Sequence, residues 1–152
     1  MSYQNHYKSS TENPEIFWKE QAENLKWHKK PTTILSKDEN GFDRWFADGE
    51  LNMCYLAVDK HIEDGFGDQA AIIYESPVTQ QKETYTYNEV KSKVERLAGG
   101  LRDLGVKKGD TVIIYMPMMP RATFSMLACA RIGAIHSVVF GGFAPHELAI
   151  RI

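Results

Sequence analysis

The chain has little of what membrane, secreted or metal-binding proteins need. Two cysteines occur in 152 residues, and neither Cys54 nor Cys129 belongs to a CxxC pair or a cluster with metal-ligand spacing. The longest uncharged stretch, 132–145, is interrupted by His136 and three glycines, whereas a membrane-spanning helix needs about 20 mostly apolar residues. We expect no secretory signal, because residues 1–30 lack an apolar run and a small-residue cleavage site. Two buried thiols in the cytoplasm, or in the mitochondrial matrix of a eukaryote, are therefore expected.

The chain also lacks a large excess of charge of either sign. The chain has 18 Lys and Arg against 20 Asp and Glu, a net charge of −2, so no overall field attracts it to nucleic acid or anionic lipid. The basic run 26–30 is interpreted as a solvated helix end rather than a nucleic-acid site. Arg121 and Arg131, which flank a predicted helix, are interpreted as paired or snorkelling surface residues. We predict no nucleic-acid and no membrane partner.

The common catalytic signatures are absent. The sequence has no GxxxxGK[ST] phosphate loop, no GxSxG nucleophile elbow, no HExxH and no GxGxxG. Cys129 and His136 could suggest a Cys-His pair, but a packed thiol and a hydrogen-bonded core histidine are favoured because no third orienting group is in view. The sequence therefore predicts no catalytic residue and no metal site in this chain.

Residues 1–68 are predicted to be helical and irregular. Asn13-Pro14-Glu15 is a typical helix start, with a capping side chain, proline at the first position and an acid in the first turn. The helix is predicted to continue to the lysines before Pro31, with a partly buried face formed by Ile16, Phe17 and Leu25. Residues 32–50 are expected to be extended loop, with Trp45 and Phe46 packing on a core elsewhere. Asn52 is then predicted to cap a short helix that ends by Gly65 and carries Met53, Leu56, Ala57 and Ile62.

Residues 69–152 change to alternating strand and helix patterns. A strand at 70–74, turn residues at 76–79 and an alternating run at 84–87 predict a β-hairpin. Thr86 and Glu89 form a capping box that opens a helix ending at Gly105. Its apolar stripe, with Leu97 or Leu101 at the centre, is expected to pack on the sheet and comprises Val90, Val94, Leu97, Ala98, Leu101 and Leu104.

The last third predicts a parallel βαβ unit. The apolar strand 112–116, typical of a strand buried on both faces, is followed by a helix from Pro120 to Gly133 and a second buried strand at 134–140. Pro145 begins a third helix, and the chain ends at Ile152 without a helix stop signal. Because one βαβ unit neither covers a parallel sheet nor guards its edges, we expect this chain to be the N-terminal piece of a larger protein.

Phe140-Gly141-Gly142-Phe143 is the one local feature with functional geometry. It follows a predicted parallel strand and precedes a helix, and open α/β sheets bind ligands outside the carboxyl ends of their strands. Glycines permit close backbone approach, Gly142 has no Cβ to obstruct a ligand, and a helix N-terminus attracts phosphate. A tight turn without a ligand is the competing interpretation.

The segment from Tyr115 to Phe143 strongly resembles the short-chain acyl-CoA synthetases, AMP-forming enzymes of the adenylate-forming superfamily. The resemblance extends upstream through the helix at 86–105 to Leu51-Asn52 and Phe17-Trp18, and so covers nearly the whole chain. Two loops, 74–79 and 143–148, are more similar to propionyl-CoA synthetases than to acetyl-CoA synthetases. The resemblance implies an α/β fold, with residues 1–68 as the N-terminal region and 69–152 as the start of the adenylating domain.

The resemblance also implies a two-step reaction. A small carboxylate, propionate or acetate, attacks Mg-ATP to give an acyl-adenylate and pyrophosphate, and CoA then yields acyl-CoA and AMP. The phosphate loop, the adenine-binding segment and the catalytic lysine of such enzymes have no match in residues 1–152, so the chain alone is expected to be inactive and to bind no cofactor tightly. Its partners would be the rest of the same enzyme. Phe140, Gly141 and Gly142 correspond to the segment near the CoA nucleotide.

Two further functions remain open at this point. The chain could be a free-standing interaction module that dimerises through its sheet edge, or a small nucleotide-binding domain. A reading frame that continues past Ile152 would favour the enzyme fragment. Stabilisation of the isolated chain by ATP or CoA would favour the nucleotide-binding domain.

Overall fold

A computed structural model describes residues 2–142 and 144–152, and the chain divides into two units between Leu51 and Asn52. The first unit contains helices and a short hairpin: α1 (Tyr3–Glu12), α2 (Pro14–Ala22), β1 (Leu35–Lys37) and β2 (Asp43–Trp45). The second contains two π-helical segments, Tyr55–Asp59 and Ile62–Phe66, followed by β3 (Ala70–Ser76), β4 (Gln81–Thr86), α3 (Tyr87–Asp103), β5 (Thr111–Met116), α4 (Pro120–Ile132), β6 (Ile135–Phe140) and α5 (Pro145–Ala149). This order of elements confirms the predicted α/β class.

The helices of the first unit differ from the prediction. Helix α1 has no buried residue and therefore no apolar periodicity by which to find it; the Ser2 hydroxyl caps it by accepting from the Asn5 amide. Helix α2 begins at Pro14 as predicted, but the Asn13 side chain makes no capping bond, because Asn13 also closes α1.

The predicted length of α2 is wrong, and its predicted partly buried face is confirmed only at Phe17. The helix ends at Ala22, so the basic run lies in the turns after it, where Lys30 forms a salt bridge with Glu23 at 2.5 Å. Ile16 is 62% exposed and Leu25 is 43% exposed. Ala22 is the residue that α2 buries, and its carbonyl accepts a hydrogen bond from the Trp27 indole at 2.8 Å.

A hairpin replaces the predicted loop at 32–50. Strands β1 and β2 pair antiparallel around a turn in which the Asp38 carboxylate accepts from the amides of Asn40 and Phe42. Trp45 does not pack into a core as predicted, because it is 42% exposed and its ring contacts are those with Trp18 and Phe46. These aromatic contacts stay within the first unit.

The second unit opens with a helical segment of π type. The Asn52 side chain caps it as predicted by accepting from the Tyr55 amide at 3.1 Å. Of the apolar residues that it carries, Ile62 packs against the core but Met53 is 61% exposed, and Cys54 and Val58 are the apolar residues that it buries. The wider i→i+5 turn of a π-helix explains the difference, because it rotates the side chains away from positions assigned with a 3.6-residue period.

The hairpin and capping box are confirmed. Strands β3 and β4 pair antiparallel, and Thr86 and Glu89 exchange both hydrogen bonds of the box at the start of α3. The predicted stripe of α3 is partly wrong: Leu104 is 83% exposed, and Leu97 and Leu101 are only partly buried. The fully covered residues of α3 are Val90, Val94 and Ala98.

The core lies between helices and the hairpin rather than on the parallel strands. Helix α3 packs mainly against α4, with further contacts to β3, β4 and the first π-helical segment. The buried cluster consists of Cys54, Val58, Val90, Val94, Ala98, Phe124 and Ala128. The expectation that α3 rests on the sheet holds for the β3–β4 hairpin, whereas its main packing partner is α4 rather than the parallel strands β5 and β6.

The βαβ unit is confirmed, but its strands are not buried on both faces. Strands β5 and β6 pair in parallel from Thr111↔Ile135 to Met116↔Phe140, and α4 joins them and ends at Gly133 in the left-handed conformation. Each strand has one fully covered residue, Ile114 or Val139. Both strands therefore carry more apolar side-chain surface than the other described residues cover.

Candidate functional site

The predicted CoA-proximal turn lies where β5 and β6 end together. Met116 and Phe140 are opposite each other in the parallel pairing, so the carboxyl ends of both strands meet at this edge. Gly141 and Gly142 follow as a turn before α5. The placement fits the predicted ligand-binding edge of an α/β sheet. Phe143, the last residue of the predicted motif, lies outside the described residues.

Gly141 has a structural reason to be glycine. A Cβ at this position would lie 2.9 Å from the Pro117 nitrogen and 3.0 Å from the Met116 carbonyl carbon. These are backbone atoms, which cannot rotate aside as a side chain can. The close approach that the paired glycines predicted is therefore made by the chain itself, between the turn and the end of β5.

Gly142 is under no such restriction. Among the described residues, apart from its chain neighbours, a Cβ there would meet the Phe140 ring, at 3.2 Å from Cε1, and the φ of Gly142 is not in the left-handed region that favours glycine. The Phe140 side chain is 57% exposed. The turn thus contains one glycine that backbone packing requires and one whose close neighbour is the exposed Phe140 ring.

Helix α5 does little for phosphate binding on its own. It begins with Pro145 as predicted but has five residues, and Glu147 lies in its first turn. A carboxylate there offsets the positive end of a helix dipole. Any phosphate near this turn would need cations from elsewhere.

An apolar recess opens beside the carboxyl end of β5. It has a volume of about 220 Å³ and is floored by Leu97, Met116 and Phe124, with the cations of Lys93 and Arg121 among its lining residues. The Tyr85 hydroxyl, also in the lining, donates to Glu83, and this bond raises the pKa of Tyr85. The size and lining of the recess suit a small amphipathic group, and its described lining residues include no pair arranged for acid–base catalysis.

A charged cluster joins three helical elements of the second unit. Arg131 Nη2 donates to Asp59 Oδ2 at 2.6 Å, and Lys91 Nζ lies 3.3 Å from Asp59 Oδ1. Glu95 Oε1 is 3.8 Å from Arg131 Nη1. Asp59 is 7% exposed. The interpretation of Arg131 as a paired residue is correct, but it lies in a partly buried network rather than on an open surface.

The two cysteines are buried thiols, as predicted. Cys54 and Cys129 are both 0% exposed and free of disulfide bonds, and burial raises the pKa of each thiol. His136 is exposed on β6, so the predicted core histidine is wrong. A raised pKa and no solvent access make both thiols poor nucleophiles.

Neither a metal-ligand cluster nor a membrane-spanning helix is found among the described residues. No three His, Cys, Asp or Glu side chains in 2–142 and 144–152 are grouped as metal ligands would be. No helix in the same ranges is both long and apolar enough to cross a membrane.

Two family models match the chain in succession. The model described as acetyl-coenzyme A synthetase N-terminus matches residues 3–57. The model described as AMP-binding enzyme matches residues 60–152.

Individual proteins agree with these models. The human mitochondrial acyl-CoA synthetase short-chain family member 3 is 56% identical over 150 residues, which are 99% of this chain and 22% of that protein. An acetyl-coenzyme A synthetase of Pseudoalteromonas atlantica is 46% identical over 153 residues, covering 99% of this chain and 24% of its own length. The solved acetoacetyl-CoA synthetase of Streptomyces lividans superimposes with a TM-score of 0.86 at 25% identity, over 99% of this chain and 23% of that one. The chain thus spans about a quarter of the length of the proteins it matches.

Proposed function

The chain belongs to the AMP-binding enzyme family, and from that premise we propose that it is the N-terminal part of an AMP-forming short-chain acyl-CoA ligase. The observation that carries this proposal is the tandem match: an acetyl-CoA-synthetase N-terminus over 3–57 is followed by an AMP-binding enzyme over 60–152. The complete enzyme would convert a small carboxylate, ATP and CoA to acyl-CoA, AMP and pyrophosphate, with Mg²⁺ on the ATP.

In this proposal the chain supplies scaffold and one edge of the CoA site, and the fragment alone is inactive. Residues 1–68 form the N-terminal region and 69–152 begin the adenylating domain. Phe140, Gly141 and Gly142 lie near CoA, supported by their position at the carboxyl ends of two parallel strands. The exposed Phe140 ring and the Gly142 backbone beside it are the surfaces that a ligand would contact.

The rest of the enzyme is the proposed partner of the parallel strands. Ile135 is 59% exposed and Val138 is 44% exposed, although both lie in a strand of buried-type composition. Parallel sheets are usually covered on both faces, so further strands and helices of the same protein would cover these side chains.

Propionate is the proposed substrate, with acetate second. The resemblance of the loops at 74–79 and 143–148 to propionyl-CoA synthetases supports this order. The proposed location is the cytoplasm, or the mitochondrial matrix in a eukaryote, supported by two free buried thiols and a mitochondrial human relative.

Pyrophosphate exchange tests the proposal. An enzyme that continues this chain through the remaining length of its relatives should exchange pyrophosphate into ATP with propionate better than with acetate or butyrate. Residues 1–152 alone should show no exchange. Exchange by the short chain would contradict its proposed inactivity, and no acyl-CoA formation by the longer enzyme would contradict the ligase.

A dimerising interaction module is the second candidate, favoured by the same exposed strand residues. Sedimentation of the isolated chain separates the two. A stable dimer that Val138→Lys dissociates would favour the module, whereas a monomer would favour the enzyme segment.

A further inference from the structure

A basic cleft lies between the C-terminal ends of α3 and α4. Its volume is about 550 Å³, within the range of about 300–1,000 Å³ that is usual for small-molecule sites. We call it the α3–α4 cleft. Four cations and one carboxylate line it: Arg102, Lys107, Lys108, Arg131 and Glu95.

Three of these cations form no salt bridge within the described part of the chain, although the Asp110 carboxylate lies nearby and accepts from the Lys107 backbone amide at 2.8 Å. Arg131 is held by Asp59 at 2.6 Å, but Arg102, Lys107 and Lys108 form no salt bridge there. Helix dipoles favour cations in the last turns of α3 and α4, which accounts for Arg102 and Arg131. The helix dipoles do not account for Lys107 and Lys108, which lie beyond the end of α3.

Gly99 provides a second, independent observation. It lies inside α3 and lines the cleft, and a Cβ built there would have no atom within 4 Å. Packing therefore does not require glycine, although glycine inside a helix is less stable than alanine. The missing side chain leaves space in the wall of the cleft, which Arg102, Lys107 and Lys108 also line.

The cleft is remote from the Phe140–Gly142 turn. Lys107 and Lys108 precede β5 and Arg131 ends α4, so the cleft lies at the amino ends of the parallel strands. The turn lies at their carboxyl ends, and six strand residues span about 20 Å. A ligand in the cleft would not be the one proposed for the turn.

We propose that the α3–α4 cleft binds a small anion carrying two or more phosphate groups. An arginine fork and two lysine ammonium groups bind phosphate oxygens through charge-assisted hydrogen bonds, and the cleft has room for several such groups. Arg131 is already paired with Asp59 and lies near Glu95, so the phosphate contacts fall to Arg102, Lys107 and Lys108. The proposal concerns this chain alone and does not depend on the ligase activity.

Calorimetric titration of the 152-residue chain with inorganic tripolyphosphate tests the proposal. Lys107→Gln and Lys108→Gln should each weaken binding about tenfold, since each removes a charge-assisted contact. Lys93→Gln is the matched control, an exposed lysine of α3 outside the cleft. Gly99→Leu should also weaken binding by filling the cleft, without loss of helix content by circular dichroism, because its side chain meets open space.

The outcomes separate a site from general attraction. Equal weakening by Lys93→Gln, unchanged binding by Gly99→Leu, or citrate binding as tightly as tripolyphosphate would each overturn the proposal. Phosphatidylcholine vesicles containing a phosphoinositide distinguish the source of phosphate: sedimentation that Lys107→Gln abolishes assigns a lipid headgroup, and binding of tripolyphosphate alone assigns a free phosphate. Absence of both kinds of binding overturns it.

Discussion

Removing the Asp59 carboxylate should destabilise the second unit strongly. Asp59 is 7% exposed and accepts from Arg131 at 2.6 Å, with Lys91 at 3.3 Å. Asp59→Ala would leave the Arg131 guanidinium without its nearest carboxylate, while the Arg131 Nε is already buried without a partner. Among the described carboxylates, Glu95 would remain near the guanidinium, with its Oε1 at 3.8 Å from Arg131 Nη1.

The expected magnitude follows from the burial of the two partners. Breaking a fully buried ion pair on one side costs about 3–5 kcal/mol. Arg131 keeps 23% of its side-chain exposure, so water would partly solvate the abandoned charge and we expect a loss of about 2–4 kcal/mol. That is a large share of the stability of a domain, which is about 5–15 kcal/mol.

Urea denaturation followed by circular dichroism is the appropriate assay. All three tryptophans, Trp18, Trp27 and Trp45, lie in the first unit, so their fluorescence would not report on Asp59. The matched control is Asp64→Ala, which removes a more exposed aspartate that pairs with Lys60 and should cost less than about 0.5–1 kcal/mol.

A double variant distinguishes lost charge pairing from lost packing. Asp59→Ala with Arg131→Met replaces both charges by apolar groups, which is often neutral or stabilising relative to the intact pair. The double variant should therefore be more stable than Asp59→Ala alone. Equal effects of Asp59→Ala and Asp64→Ala, or additive losses in the double variant, would refute the argument.

The other predictions concern packing, the turn and acid stability. Val94→Ala should cost about 2–3 kcal/mol because Val94 is fully buried, while exposed Leu104→Ala should cost less than about 0.5 kcal/mol; equal urea midpoints would contradict the core assignment. Gly141→Ala should lower thermal stability by about 1–3 kcal/mol, because the added Cβ would clash with the backbone. Gly142→Leu should fold and, in the longer enzyme, slow the CoA-dependent step more than pyrophosphate exchange. Equal losses of rate in both reactions would refute a CoA role. Hydrogen bonds from Thr32 and Thr33 lower the pKa of Asp48. The contribution of this carboxylate to stability is therefore complete above its unfolded pKa near 3.8 and is lost as pH falls through the lower folded value. Tryptophan fluorescence should show that Asp48→Asn is less stable than the parent at pH 7 and equally stable in strong acid.

The elements that local chemistry determines could be predicted. The capping box at Thr86 and Glu89 needs only two side chains three residues apart. Pro120 and Gly133 similarly mark both ends of α4. The position of Gly141 and Gly142 followed from the strand that precedes them, so the candidate turn was found from the sequence as well.

Features that depend on tertiary partners could not be predicted. The Asp59–Arg131 pair joins residues 72 apart, and no periodicity connects them. Helix α1 buries nothing and leaves no pattern. The π-helical turn changes which residues face inward, and no residue type marks it in the sequence. That Gly141 is needed for close backbone approach, while Gly142 is not, depends on the position of Pro117.

The wrong prediction of two-sided burial is informative about the parallel strands. A continuous apolar run is typical of a strand with covered faces, yet Tyr115 is 42% exposed and Ile135 is 59% exposed. Each Å² of apolar surface left in water loses about 25 cal/mol of stabilisation that burial would give. A sheet that folds without further covering elements would avoid this loss by placing polar residues on its open face. The composition therefore matches a sheet that other elements cover. This supports the proposal that the strands belong to a larger α/β domain, and it locates the expected junction on β5 and β6.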